Sequence, residues 1–547
     1  MARTEHSALQ NADILEEIVE QLAPGKECKY RKHWNPVSAL ARVSKAFHIP
    51  ATKALWARPP SLHHLLLFFP EYQRLYQAYQ EQYPHGRFKN TYVRLSEPIS
   101  PETWARFCNR AAAVRHLLQQ THSKDIALTS ESWSYLARLL GDTGPLFPIL
   151  QSVSLLQSSQ TCENLRLLAS PSLAGVILYD AFHGEEWKGD GLLAIKDILT
   201  NAARLTELEL ISCSGDFFTH IPPEALAHLQ YLRFEVDQPT SVAPREWYPN
   251  ADALQVLSAL PALEHLRVEL ALDRYDAEFV GFGSLITMHI IDAGYGDTTW
   301  FLERCSSPHL RELVIDFKDL YFQRFEWEDM HPVCTAIAGH TPELRYLGMV
   351  FGCFGKLPEQ TPDMLLTAAH PLFALRNLTK LSLSLGYGEI ILSDAVLEAF
   401  AEAWPALVSL EICFHKFRPH TSPRLHPADV TLRSFHVLSR NCPQLRVLHI
   451  PHLYVPLEDC HEDANLDGAE HSRGHPVLWK VVVCRAFIVD AHACALALHS
   501  IFPHLDIGQS HTAYLLSHHS RQEDQFFRRA WLVTLNALEE CQTSASD

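Results

Sequence analysis

Aliphatic residues recur along most of this chain in a fixed spacing, Leu-x-x-Leu-x-Leu. After faint starts at Val114 to Leu117 and at Leu150, Val153 and Leu155, the triplet returns at Leu173, Val176, Leu178; Leu205, Leu208, Leu210; and Leu229, Leu232, Phe234. It continues at Leu263, Leu266, Val268; Leu285, Met288, Ile290; Leu310, Leu313, Ile315; and Leu344, Leu347, Met349. The last copies are Leu378, Leu381, Leu383; Leu407, Leu410, Ile412; and Leu445, Leu448, Ile450. Successive copies begin about 22 to 38 residues apart, a period that marks a solenoid of stacked supersecondary units. The alternation predicts one short strand per unit, with the second and third apolar residues inward and the first closing the turn that leads in. Leu208, Leu266, Leu313, Leu381 and Leu448 are therefore expected to be buried. Their polar neighbours face outward by the same parity: Tyr231, Arg233 and Glu235, then His265, Arg267 and Glu269. Further along, the exposed set is His289, Glu312, Asp316, Tyr346, Glu411 and His449.

Proline corners precede several strands, at Pro261, Pro308, Pro342, Pro405 and Pro443, and helical patterns fill gaps such as 191–202, 222–228 and 393–404. Strand and helix in alternation predict an α/β array, a curved parallel sheet with outer helices, and the leucine spacing is that of a leucine-rich repeat. The array is irregular. Only Leu205 to Cys213 keeps the Cys that ends the consensus, and insertions interrupt it at 237–250, 354–362, 415–427 and 455–476. A last strand around Leu478 to Val483 and an amphipathic helix carrying Phe526, Phe527, Trp531, Leu535 and Leu538 are expected to close it, with residues 542–547 frayed.

The first seventy residues follow a different period. Ile14, Leu15, Ile18, Val19 and Leu22 form a wide stripe on a helix, with Asp13 as N-cap and Glu16 as its capping-box partner. A second helix opens with Asn35 and Pro36 and carries Leu40, Val43 and Phe47 on one face, and a third is expected from Pro50 through Ala51, Ala54, Leu55 and Trp56. Ser61 caps a leucine-rich turn reaching Pro70. The runs 12–18, 39–47 and 51–56, with the Ala-Leu-Trp ending and the Ser-Leu and Leu-Leu segment after it, resemble an F-box, in particular that of a large class of basidiomycete fungal proteins. The motif usually opens with Leu-Pro, where this chain has Ala12-Asp13. The resemblance implies docking onto the Skp adaptor, and through it a cullin, of a Skp-cullin-F-box ubiquitin ligase. The contacts it implies are Ile14, Leu15, Ile18, Leu22, Leu40, Val43 and Phe47, with Leu55 and Trp56 anchoring the third helix. The stripe is also what the N-terminal cap of a larger core would show.

The expected organisation is an all-α F-box at 1–70, a helical connection at 71–112, the solenoid at 113–515, a capping helix at 516–541 and the frayed tail. A net charge of −17 offers no overall basic balance for nucleic acid and favours basic protein partners at long range. No apolar run is long enough to span a bilayer, and the thirteen scattered cysteines, with no Cys-x-x-Cys, read as reduced thiols. An intracellular protein, cytoplasmic or nuclear, is expected. No phosphate loop, dinucleotide fingerprint or nucleophile elbow is present. The densest group of metal-ligand types is His461, Asp463, Asp467, His471 and His475, where Gly468 and Gly474 disfavour the helix that would put His471 and His475 on one face; it reads as an exposed acidic loop, and His63-His64 and His518-His519 read as surface pairs. Three functions follow: a non-catalytic ligase receptor for an unidentified target, an interaction scaffold outside any ligase, and an enzyme built around the 461–475 loop. The first is the reading adopted, with no cofactor and no metal.

Overall fold

The computed structural model describes residues 11–22, 35–59, 61–82, 92–118, 127–141, 144–157, 167–180, 190–213, 215–236, 248–270, 279–317, 327–351, 364–385, 392–414, 430–456, 478–510 and 525–546. They fall into two compact units, Met1–Leu263 and Glu264–Asp547. The insertions after the strands lie mostly outside the described residues, as do His461, Asp463, Asp467, His471, His475 and the His518-His519 pair.

The N-terminal unit begins with three helices, α1 (Ala12–Leu22), α2 (Asn35–Val43) and α3 (Lys45–Ala57). Two of their starts differ from the sequence reading. The side chain of Asn11, not Asp13, caps α1 by accepting from the Asp13 N–H at 3.0 Å. Helix α3 begins five residues before Pro50, where Ser44 Oγ accepts from the Phe47 N–H at 3.4 Å. Proline inside a helix forfeits one backbone bond. Here Pro50 and Ala51 are buried, and Ala51 joins Val19 and Val37 in the module's core, so tertiary packing overrides the usual break. A short turn, α4 (His63–Leu66), and α5 (Pro70–Gln82) follow. His63 is buried, with Nδ1 at 2.9 Å from the Tyr72 hydroxyl and its ring against Tyr76, so it is a core residue and not the surface residue expected of it.

These helices are tied to the chain that follows. Glu71 accepts from the Ser96 N–H and Oγ–H and from the Glu97 N–H; burial opposes its charge, but these bonds prevail and hold its carboxyl below the usual range. Phe69 packs on Phe107 of α6 (Pro101–Ala111) with ring centroids 4.8 Å apart. Trp56 lies between the Phe68 ring and the Arg110 guanidinium, and the Arg115 N–H donates to the Ala57 carbonyl at 2.8 Å. Beyond that bond the repeats begin.

Strands β1 (Tyr92–Val93), β2 (His116–Leu118) and β3 (Ala127–Leu128) come first; β1 and β3 make a small parallel pair, whereas β2 opens the main sheet. After α7 (Ser130–Leu140), that sheet continues in chain order through β4 (Ser152–Gln157), β5 (Gly175–Asp180), β6 (Glu207–Ile211) and β7 (Tyr231–Glu235), every pairing parallel. Helix α8 (Asp190–Asn201), two 3-10 turns (Phe217–His220 and Pro223–Leu226) and α9 (Ala251–Ser258) fill the connections.

The C-terminal unit repeats the scheme. Strands β8 (His265–Glu269), β9 (Thr287–Ala293), β10 (Glu312–Phe317), β11 (Tyr346–Val350), β12 (Lys380–Leu385), β13 (Ser409–Phe414), β14 (Val447–Val455) and β15 (Lys480–Ile488) pair in parallel, each with the next. Between them run α10 (Tyr295–Arg304), α11 (Trp327–His340), α12 (Met364–Ala369), α13 (Asp394–Ala403) and α14 (Leu432–Asn441), with α15 (Ala491–Ile501) and α16 (Gln525–Ser546) after the last strand. The architecture of each unit is that of an irregular leucine-rich repeat.

The predicted parity holds. From Leu173 to Ile450 every member of every triplet is buried, including Leu208, Leu266, Leu313, Leu381 and Leu448. Few repeats carry the consensus Asn or Cys, and main-chain bonds take over part of that task. The residue just before most strands of the main sheet offers one carbonyl to two successive N–H groups of the next repeat, as Arg311 does for Arg345 and Tyr346 at 2.8 and 2.9 Å and Arg345 does for Thr379 and Lys380. In the one consensus repeat, the Cys213 thiol is buried and directed at the Leu178 and Ile211 carbonyls. Trp531, Leu535 and Leu538 of α16 are buried, as the capping reading requires. The helix continues to Ser546 where fraying was expected, because Gln542 Nε2 donates to the Leu505 carbonyl at 3.1 Å.

Asp394 joins two outer helices. Its carboxylate accepts from the Thr431 N–H at 2.8 Å, the Thr431 hydroxyl at 2.7 Å and the Ser434 hydroxyl at the start of α14. Asp394→Ala leaves these donors without their acceptor and is expected to cost roughly 1–3 kcal/mol in urea unfolding. Asp394→Asn should recover part of that loss, since it keeps an acceptor.

Candidate functional site

Two surfaces carry the residues singled out in the sequence. On the helical module, the structure divides the stripe residues between inside and outside. Leu15 is 3% exposed, while Leu40, Phe47 and Leu55 pack against the Val19, Val37 and Ala51 core, so these four belong largely to the module itself. Ile18 is half-buried, and Trp56 is engaged by Phe68 and Arg110 of its own chain. Left on the outside are Ile14 and Leu22 at the two ends of α1 and Val43 at the end of α2, the last 72% exposed. Ile49, 73% exposed on α3, joins them and is absent from the sequence reading. A helix expected to start only at Pro50 does not include Ile49, whereas the Ser44 cap puts it on α3.

The second surface is the outward face of the strands. In the N-terminal unit, parallel register sets Glu207 beside Tyr231, Glu209 beside Arg233 and Ile211 beside Glu235. Arg233 donates to Glu235 through Nε at 2.8 Å and pairs with Glu209 at 3.1 Å. Burial works against its charge, and the Glu235 and Glu209 carboxylates more than restore it. Tyr231 and Arg233 are half-buried. Glu235, expected to be exposed, is buried: its cross-strand neighbour is the buried Ile211, and Arg233 compensates its charge.

In the C-terminal unit, His265, Arg267, His289, Tyr346, Glu411 and His449 are half-buried on the outward side. Glu269 is the second exception to the exposure expected here, at 4%; its neighbour in register is Ile291. His289 Nε2 is 2.9 Å from Asp316, Glu411 accepts from the Ser409 hydroxyl at 2.9 Å, and His449 Nε2 is 3.2 Å from the Cys484 thiol. Burial, and then the negative charges of Glu411, Glu312 and Asp316, push the Tyr346 phenol up, so it remains protonated and able to donate throughout the physiological range. The face around Tyr346 thus brings Glu312, Asp316 and Glu411 near it, with Lys380 beside it in register, and carries a ring that can lie against a partner's cation or apolar group.

No protein-family model matches this chain, and no curated protein matches it. Among solved structures, it is similar to one described as the Rad7 and Elc1 complex in yeast, at 15% identity over 74% of this chain and 98% of that one, with a TM-score of 0.30. It is also similar to the leucine-rich repeat domain of APL1B, at 11% identity over 75% and 92% of the two chains (TM-score 0.28), and to a TLR13–ssRNA13 complex, at 12% identity over 73% and 58% (TM-score 0.32).

Among the described residues no three His, Cys, Asp or Glu side chains come together as a metal site, and no helix is long and apolar enough to cross a membrane. The described cysteines are all free thiols. Six are buried, and burial pushes Cys305 up to about 11 and Cys334 up to about 12, far from the thiolate a nucleophile requires.

Proposed function

We propose that this chain is a non-catalytic, intracellular substrate receptor of a Skp-cullin-F-box type ubiquitin ligase. The observation that carries the reading is the outer surface of the N-terminal module: Ile14, Leu22, Val43 and Ile49 are large apolar side chains left in water on three helices whose order resembles an F-box. Exposed apolar side chains on a small helical unit suit a helix-against-helix interface with the adaptor. The repeats then offer their outward face to a target protein, and the transfer chemistry is left to other subunits. The test is co-purification of the full chain with the Skp adaptor and a cullin; recovery of the folded chain with neither overturns the reading.

A second reading, an interaction scaffold outside any ligase, keeps the outward face and dispenses with the adaptor. Both readings make the same prediction for that face. Tyr231→Ala, Arg267→Ala and Tyr346→Ala combined should reduce capture of a target identified by cross-linking by about tenfold or more. Adaptor binding should survive under the ligase reading. Target capture at the wild-type level by the triple variant would remove the outward face from recognition.

A further inference from the structure

We infer that a cleft on the helical side of the N-terminal unit holds a short segment of a protein partner in which an apolar side chain is next to a lysine or arginine. The cleft, of about 710 Å³, lies where the second 3-10 turn, Pro223–Leu226, and the residues after it meet α9. Its floor and walls include Pro223, Ala227, Val256 and Leu260, and two carboxylates, Glu224 and Asp252, stand among its lining residues in contact with water.

Among the described residues the lining contains no Lys, Arg or His, and neither carboxylate is ion-paired. Each acid is in the first turn of its element, where a carboxylate favours the N-terminal end of the backbone dipole. That accounts for an acid at each position and leaves both water-exposed carboxylates at the same apolar hollow with no ion-pair partner among the described residues. Lys and Arg are the side chains built for such a place, because their hydrocarbon stems cover an apolar floor while the charged head reaches a carboxylate at its edge. An apolar centre with a charged margin is also the layout of a protein–protein contact. The chain's net charge of −17 adds a long-range attraction for the same class of partner. This inference rests on neither the adaptor nor the outward face.

The experiment presents a degenerate library of short peptides to the immobilised full-length chain, and the retained peptides are sequenced. The expected result is enrichment of Lys or Arg next to Leu, Ile, Val or Pro. Glu224→Lys with Asp252→Lys should abolish that enrichment. Ala259→Trp, which fills the cleft from an exposed position without changing charge, should do the same. In fluorescence anisotropy, a synthetic peptide of the enriched sequence should bind the charge-reversed variant at least about tenfold more weakly, and bind the wild type more weakly as salt rises. Circular dichroism matching the wild type identifies folded variants, and the two act by different means, so one suffices if the other misfolds. The inference is overturned by the absence of basic–apolar enrichment, or by enrichment that survives a folded variant of either kind. Adaptor co-purification, scored separately, is unaffected by either result.

Discussion

Leu313→Ala will destabilise the C-terminal unit by about 2–5 kcal/mol. Leu313 is the central inward leucine of β10, and its neighbours in register, Met288 and Leu347, are buried as completely as it is. In a stacked array each repeat fills the floor of the next, so removing one side chain opens a cavity that two adjacent repeats line. The residue immediately before it, Glu312, is exposed on the opposite side of the strand, and Glu312→Ala should stay within about 0.5 kcal/mol of the wild type. Urea unfolding of both variants makes the comparison. Equal destabilisation by the two changes would break the assignment of inward and outward positions on which the whole outward surface depends.

Under the ligase reading, Ile14→Asp combined with Val43→Asp should eliminate adaptor binding. Both side chains are in water in the free chain, so the double variant is expected to fold, and the effect falls on the complex alone. Within an apolar contact, two carboxylates without partners would each cost several kcal/mol, enough together for a thousandfold loss or more. Adding Ile49→Asp should have no further visible effect if the loss is already complete. Leu15→Asp is a different experiment, because Leu15 is inside the module and its replacement should unfold the helices instead of exposing an interface. A folded double variant that still co-purifies with the adaptor at the wild-type level would dismiss Ile14 and Val43 as the adaptor contact.

The repeats were legible because their signal is local and redundant. A strand alternates sides with period two, so the spacing of Leu310, Leu313 and Ile315 already dictates which way Glu312 points, and the same arithmetic recurs in each copy. The helical module was legible only as helices. Three short helices around a small core each show a wide apolar stripe, and the stripe does not say whether Leu15 or Ile14 turns inward. The Pro50 boundary misled for a related reason, since proline's local cost was smaller than the gain from burying Pro50 and Ala51. Glu235 and Glu269 have the right parity but are buried, with Ile211 and Ile291 as their neighbours in register on the adjacent strands. The cleft at Glu224 and Asp252 could not be read at all, because its walls come from either side of β7 and meet only in the folded chain.

The bond from Arg115 to Ala57 bears on how such a chain can be altered or inherited. Deleting the first seventy residues, the test that the ligase reading invites, also removes the acceptor for that N–H and the Phe69 ring from the wholly buried Phe107. The shortened protein would begin with an apolar wound beside its first strand and would be expected to aggregate, so its loss of activity would say nothing about the adaptor. A foreign helical module grafted onto these repeats would meet the same difficulty unless it brought matching residues for Phe107 and Arg110. Recombination at this boundary should therefore be harder than the apparent modularity suggests, and the two parts should change together.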